Sequence, residues 1–215
     1  MRFELSALPI QGARRRAVVA TFVAAPWVWT GARAQAPAPR KLTPSQTEGP
    51  FYPVALPKDS DFDLLKNGQA SYGKGQSAWV SGVVVDVAGK PVAGAQVEIW
   101  QCDAAGHYDH PANGGRIDPA FQGFGKVVVG ADGSYRFRTI KPVPYSGRTP
   151  HIHVKVKLGS QTLLTSQIYV QDDPGNARDS LWRNLRDDDD RKALTVPFTA
   201  GSDGLQARFE IVVRA

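Results

Sequence analysis

From Ala78 onward the chain runs in short stretches that alternate apolar and polar residues at a spacing of two, separated by glycine, proline and aspartate. The stretches are Trp79 to Val87, Gln96 to Trp100, Lys126 to Val129, Tyr135 to Ile140, His151 to Leu158, Leu163 to Val170, Leu194 to Phe198 and Arg208 to Val213. A period of two sends successive side chains to opposite faces, so each stretch predicts a β-strand. Ala88-Gly89-Lys90-Pro91, Ala131-Asp132-Gly133-Ser134 and Gly159-Ser160 place glycine where a link needs positive φ, which predicts tight connections between antiparallel neighbours. Strands in this number must cover or close their edges. The pattern therefore predicts an all-β fold, an antiparallel β-sandwich over residues 78–215 with Greek-key-like connections and functional loops gathered at one end. One short helix is expected from Ala177 to Leu185, and Asp187 to Asp190 is expected as a solvated loop. Residues 35–77 read as a loop-rich arm packing on the core, with Thr47-Glu48-Gly49-Pro50-Phe51-Tyr52-Pro53 as its dense aromatic segment.

Residues 1–34 have a different pattern. Arg14-Arg15-Arg16 precedes an apolar run from Ala17 to Trp29, and Ala32-Arg33-Ala34 offers small residues for cleavage, as in an export signal. The run is about 13 residues long and a bilayer span needs roughly 20, so the mature chain is expected to have no membrane span and to act in the periplasm or outside the cell. The consecutive arginines also resemble a twin-arginine signal, which leaves both export routes open. Of 26 Lys and Arg and 20 Asp and Glu, this segment holds five arginines and one glutamate, leaving 21 against 19. The basic balance thus belongs mostly to the leader, and no basic patch with interleaved aromatics points to nucleic acid. Cys102 is the single cysteine, which excludes an internal disulfide and a cysteine-based metal cluster and reads as a small buried residue.

The candidate chemistry concentrates in Tyr145-Ser146-Gly147-Arg148-Thr149-Pro150-His151-Ile152-His153. On a strand, His151 and His153 leave the same face and can donate to one ion, and Pro150 restricts Thr149 to an extended backbone where the strand begins. The pair alone is equally compatible with two polar residues on a solvated face. The other two histidines flank Tyr108 in Gly106-His107-Tyr108-Asp109-His110-Pro111. If Tyr108, Tyr145, His151 and His153 meet at one ion, two phenolates and two neutral imidazoles make a donor set suited to ferric iron. Zinc has no obvious use for two tyrosinates, and calcium or magnesium calls for carboxylates.

The chain resembles the intradiol ring-cleaving dioxygenases, the family of protocatechuate 3,4-dioxygenase and catechol 1,2-dioxygenase. The resemblance runs in order through Thr43 to Phe51, Gly82 to Gln101, Gly106-His107-Tyr108, Phe121 to Gly125, Tyr135 to Pro142, Tyr145 to His153 and Leu164 to Gln167. It implies Fe(III) held by Tyr108, Tyr145, His151 and His153, and oxidation of a small aromatic diol by O2 to a cis,cis-muconate-type diacid. Residues 78–215 then form the catalytic domain. The resemblance also implies that Tyr145 is the tyrosinate displaced by substrate, that Arg148 stabilises negative charge on the bound catecholate, and that Gln167 hydrogen-bonds near the reacting oxygens. His107 and His110 are expected outside the ligand set. Without a long helical segment ahead of the first strand, the chain resembles the protocatechuate-type catalytic subunit more than the catechol type. It carries all four ligand types itself, so a homo-oligomer and a single-chain enzyme both remain open. The alternative from another class is a non-catalytic, transthyretin-like exported β-sandwich, because Gly82 to Asp86 followed by Gly89 to Ala95 is also how such modules begin.

Overall fold

The computed structural model describes residues 38–114 and 116–215; the expected export signal at residues 1–34 lies outside them. The described residues form twelve strands: β1 (Lys66–Asn67), β2 (Ala70–Ser71), β3 (Ser77–Asp86), β4 (Gln96–Trp100), β5 (Phe124–Val128), β6 (Ser134–Ile140), β7 (His151–Leu158), β8 (Gln161–Val170), β9 (Thr195–Val196), β10 (Thr199–Gly201), β11 (Gly204–Arg208) and β12 (Ile211–Val213). Strands β1 and β2 make a small hairpin. In the first large sheet β3 pairs with β6 on one side and with β11 and then β12 on the other, and β10 lies outside β11. The second has the order β5-β4-β7-β8-β9. These face each other as the expected sandwich.

Alternation along the strands produces the core. Val80, Val84, Phe137, Ala207 and Ile211 from the first sheet meet Val97, Ile99, Ile152, Val154, Val156 and Ile168 from the second, all buried in one apolar cluster. Each such valine, isoleucine or phenylalanine contributes about 1.5–3 kcal/mol on burial. The opposite face of β7, with His151, His153, Lys155 and Lys157, is therefore turned away from the core. It is covered instead by the arm, which crosses from Val87 and Val212 (Arg40 N to Val87 O 2.8 Å, Thr43 N to Val212 O 3.0 Å) to β8 (Gln46 N to Thr165 O 2.9 Å).

Several expectations need correction. The sheets are not purely antiparallel, because β11 and β12 run parallel to β3 and β9 runs parallel to β8. Residues 171–194 supply the crossover that a parallel pair requires. The expected single strand from Arg208 to Val213 is also split at Phe209 and Glu210, where the Tyr135 hydroxyl donates to Phe209 O at 2.5 Å and Phe209 N donates to Ser81 O at 2.8 Å. That break lies directly over Gly82, where a Cβ would come within 1.8 Å of Phe209 O. Gly82→Ala is therefore expected to destabilise the fold by at least about 1–3 kcal/mol, read as a lower urea midpoint; an unchanged midpoint would contradict this packing.

The helices also differ from the pattern. Instead of one helix from Ala177 to Leu185 there is a 3₁₀ turn (Asn176–Arg178) followed by α1 (Ser180–Arg183), whose first N–H groups are capped by Asp179. The acidic run expected as a solvated loop starts a second helix, α2 (Asp188–Leu194), with Asp187 as N-cap accepting from Asp190 N at 2.8 Å. Negative side chains at a helix start complement the exposed N–H groups and the helix dipole, and Lys41 bridges Asp187 and Asp190 at 3.0 and 2.7 Å. Leu194, expected in a strand, closes this helix.

Candidate metal centre

The corner before β7 is a two-residue turn. Ser146 and Gly147 both have positive φ (42° and 78°), and Arg148 N donates to Tyr145 O at 2.7 Å. This I′-type geometry, which glycine admits without strain, sets Tyr145 and Arg148 side by side as the flanks of the turn. Thr149 and Pro150 then lead into β7, and Tyr145 is thereby set beside the histidines.

His151 and His153 are each 1% exposed and leave the same face of β7, with their Nε2 atoms 3.2 Å apart. His151 Nδ1 lies 2.7 Å from Thr149 O, which assigns its proton to Nδ1 and leaves the Nε2 lone pair directed at the centre. Burial, then the Arg148 charge, hold the His151 imidazole down to about 4; burial and the neighbouring His151 hold His153 well below the usual range. Both rings are neutral at neutral pH, as ligation requires.

Two phenols close the set. Tyr108 is 2% exposed, and its buried hydroxyl has no hydrogen-bond partner among the described residues. Ring centroids separate Tyr108 from Tyr145 by 5.0 Å and from His153 by 6.0 Å, Tyr145 from His151 by 5.5 Å, and the two imidazoles by 4.8 Å. The Tyr145 phenol is near enough to affect Tyr108's ionisation without meeting hydrogen-bond geometry. Burial pushes both phenols up, Tyr108 well above the usual range, so the protein alone does not ionise them. A bound cation reverses that preference, because its charge stabilises phenolate where burial opposes it.

Neighbouring side chains hold these rings. Trp100, paired with His153 across β4 and β7, stacks on its imidazole at 4.8 Å and 7°. Phe51 stacks on Tyr108 at 4.7 Å, and Gly49 (φ 72°) passes so close that a Cβ there would lie 3.3 Å from His153 Cε1. The arm is fixed there by Lys155, which pairs with Glu48 and lies 3.6 Å from the centre of the Tyr52 ring. Buried Glu98 accepts from the Tyr52 hydroxyl at 2.9 Å and from Lys157 at 2.9 Å.

Gln167 lies opposite His153, and Tyr169 opposite His151, in the β7–β8 register. Gln167 is wholly buried, and its Oε1 accepts from Arg148 Nη2 at 2.7 Å; the Tyr169 hydroxyl lies 3.2 Å from the same oxygen, its single proton directed to Gln46 Oε1 at 2.7 Å. Its Nε2 donates to Thr47 O at 3.1 Å, which leaves one N–H for any other partner. Arg148 Nε donates to Asp179 Oδ2 at 2.6 Å, and a cavity of about 480 Å³, lined in part by Tyr145, Arg148 and Arg178, opens beside the turn. Larger hollows elsewhere, such as one of about 570 Å³ near Trp182 and Arg191, contain none of the four rings.

His107 and His110 stand apart from the four rings. His107 Nδ1 is 3.9 Å from Asp103, and His110 Nδ1 accepts from Ala112 N at 3.1 Å to cap a 3₁₀ turn. Cys102 is buried, and burial pushes its thiol up to about 12, so it carries no thiolate character. Sequence reasoning missed Asp179, Tyr169, Trp100 and Gly49. Tyr169 follows Gln167 at the same two-residue spacing as the histidines, and Asp179 stands as a helix cap before Ser180-Leu181-Trp182-Arg183. Trp100 and Gly49 carry no local signal, because only strand pairing and arm docking bring them to the rings.

A protein-family profile described as "Dioxygenase" matches residues 47–215, beginning within the arm. The protocatechuate 3,4-dioxygenase beta chain of Burkholderia cepacia is 34% identical over 175 residues, covering 74% of this chain and 72% of that one. Catechol 1,2-dioxygenase of Candida albicans is 32% identical over 168 residues, covering 68% of this chain and about half of the relative, 52%. Among solved structures, the dioxygenase domain of a dioxygenase carbohydrate-binding protein fusion from Streptomyces sp. SirexAA-E superposes with a TM-score of 0.65 at 32% identity, covering 81% of this chain and 99% of that one. These likenesses displace the alternative of a non-catalytic transthyretin-like module. The chain belongs to the intradiol ring-cleaving dioxygenases, enzymes that open an aromatic ring between two hydroxyl-bearing carbons.

Proposed function

We propose that Tyr108, Tyr145, His151 and His153 hold one ferric ion and that the protein cleaves a catechol-type ring with O2 to a muconate-type diacid. The buried Tyr108 hydroxyl carries this reading: it has no partner among the described residues, and an unsatisfied buried hydroxyl costs about 1–3 kcal/mol unless a ligand takes it up. The donor chemistry supports iron. Among the described residues no three His, Cys, Asp or Glu side chains come together, so the phenols are indispensable to the set and the carboxylates favoured by calcium or magnesium are missing from it. The family uses non-haem iron. When bound, Fe(III) lowers the pKa of a coordinated catechol and draws electron density from its ring, making the organic ligand the partner for O2.

The protein side chains divide the remaining work. Tyr108 is the more deeply buried phenol, stacked under Phe51, and holds its position. Tyr145 is only partly buried and sits on a two-residue turn, so it is the phenol able to leave the centre and take a proton from a substrate hydroxyl. Arg148 brings a permanent cation beside it for the negative charge of the catecholate. Gln167 holds Arg148 through Oε1 and has one Nε2 hydrogen left for substrate oxygen. The leader-like residues 1–34 support action outside the cytoplasm on diols that reach the periplasm or medium.

Protein purified with iron should absorb in the visible from tyrosinate-to-iron charge transfer. It should also consume oxygen with one or more of catechol, protocatechuate, hydroxyquinol and chlorocatechols, giving a ring-opened diacid by mass spectrometry. Colourless protein that retains no iron and consumes no oxygen with any of them would overturn the reading.

A further inference from the structure

We infer that Asp179 is a positioning residue for Arg148, holding the guanidinium in the orientation that the ring-cleaving site uses. This rests on the function proposed above. Asp179 lies 31 residues beyond Arg148 in sequence, at the start of α1, and its side chain is fully buried. Oδ1 accepts from Leu181 N at 2.9 Å and Trp182 N at 3.2 Å, which is the capping task. Oδ2 has a separate task, accepting from Arg148 Nε at 2.6 Å and Thr149 N at 3.0 Å. One carboxylate thus joins the helix start, the turn that carries Tyr145 and Arg148, and the entry to β7.

The contact is selective within the guanidinium. Nε and Nη2 lie along one edge of that planar group; Asp179 takes the first and Gln167 the second, at 2.6 and 2.7 Å. Two partners on one edge fix the plane, while the Nη1 hydrogens remain available to a ligand. The network continues from Gln167 Nε2, which donates to Thr47 O at 3.1 Å, through the arm backbone to Gln46, whose Nε2 returns to Leu181 O beside Asp179 at 3.0 Å and whose Oε1 takes the Tyr169 hydroxyl proton at 2.7 Å. Arg148 is therefore held within a closed loop of arm, β8 and α1, and its side chain is only 20% exposed. A surface ion pair would lack all three restraints: full burial of one partner, a second acceptor on the same edge, and closure through the arm.

Asp179→Asn separates this task from capping, because asparagine caps a helix about as well but turns an N–H or a weaker neutral acceptor toward Arg148. Asp179→Ser keeps a cap and cannot reach the guanidinium, so it serves if the first variant folds poorly. With iron content and visible colour retained, each is expected to lower kcat about 10–100-fold, and Arg148→Gln/Asp179→Asn is expected to be no slower than Arg148→Gln alone. Exchange of the Arg148 Nε proton in iron-free protein, followed by nitrogen-resolved NMR, should accelerate at least about tenfold in Asp179→Asn. Wild-type kcat in both single variants, losses that multiply in the double variant, or unaltered Nε exchange would each overturn the assignment. So would loss of iron and colour in Asp179→Ser, which would mark a role in building the site. Failure of the functional reading is distinguishable, since wild-type protein would then bind no iron while proton exchange still reports whether Asp179 holds Arg148.

Discussion

Replacing His153 by alanine is expected to remove iron, colour and turnover together. The imidazole stands between Trp100, stacked on it at 4.8 Å, and His151, whose Nε2 lies 3.2 Å from its own. Neither remaining histidine can replace the lost donor: His107 is turned toward Asp103 and His110 caps a 3₁₀ turn. Loss of the metal forfeits several kcal/mol of charge stabilisation, or a rate fall of about 10³-fold or more at about 1.4 kcal/mol per decade. The variant should still fold, because His153 faces away from the core packed by Ile152 and Val154. Metal analysis, visible absorption and oxygen uptake, with circular dichroism to verify folding, make the measurement. Retention of iron and colour with normal uptake would show that His153 is not a ligand.

Arg148→Gln is expected to behave differently, keeping iron and colour while kcat falls about 10²–10³-fold, the range found when one preorganised donor to developing negative charge is removed. Arg148→Lys should recover little of this, because an ammonium cannot bond Asp179 and Gln167 along one planar edge. Stability should fall as well. Asp179 would be left as a buried charge without its partner, a change that costs about 3–5 kcal/mol. Burial pushes the Asp179 carboxyl up, but Arg148 and Thr149 N more than offset it and hold the carboxyl below its usual value. In the wild type, that depressed pKa contributes stability above the unfolded carboxylate value, and the contribution is lost as pH falls through the folded value. In Arg148→Gln burial dominates and the sign reverses, so the stability deficit should widen as pH rises through the carboxylate range and narrow in acid. Urea midpoints of both proteins across that range test this. A deficit independent of pH would show that Asp179 does not depend on Arg148 for its charge.

Much of the architecture was legible along the chain, for a physical reason visible in β7. Strand periodicity is local, and the predicted limits His151 to Leu158 are those observed. The same period placed His151 and His153 on one face. It misjudged segments whose state depends on their ends: Asp187 to Asp190 read as polar loop, yet an aspartate N-cap and a lysine from the arm make it the start of α2. The break at Phe209 was equally hidden, because it answers to Gly82 on a neighbouring strand.

The sequence by itself determined the β-sandwich, the common face of the two histidines and the types of donor available, since these follow from side-chain period and residue chemistry. Only the tertiary structure decided that Tyr108 and Tyr145 meet those histidines, that Gly49 and Phe51 cover them, and that Arg148 is fixed by Asp179 and Gln167. The reason is separation along the chain. These contacts join the arm, a loop, a turn, two strands and a helix start, and no local propensity specifies which buried partner a distant side chain will find.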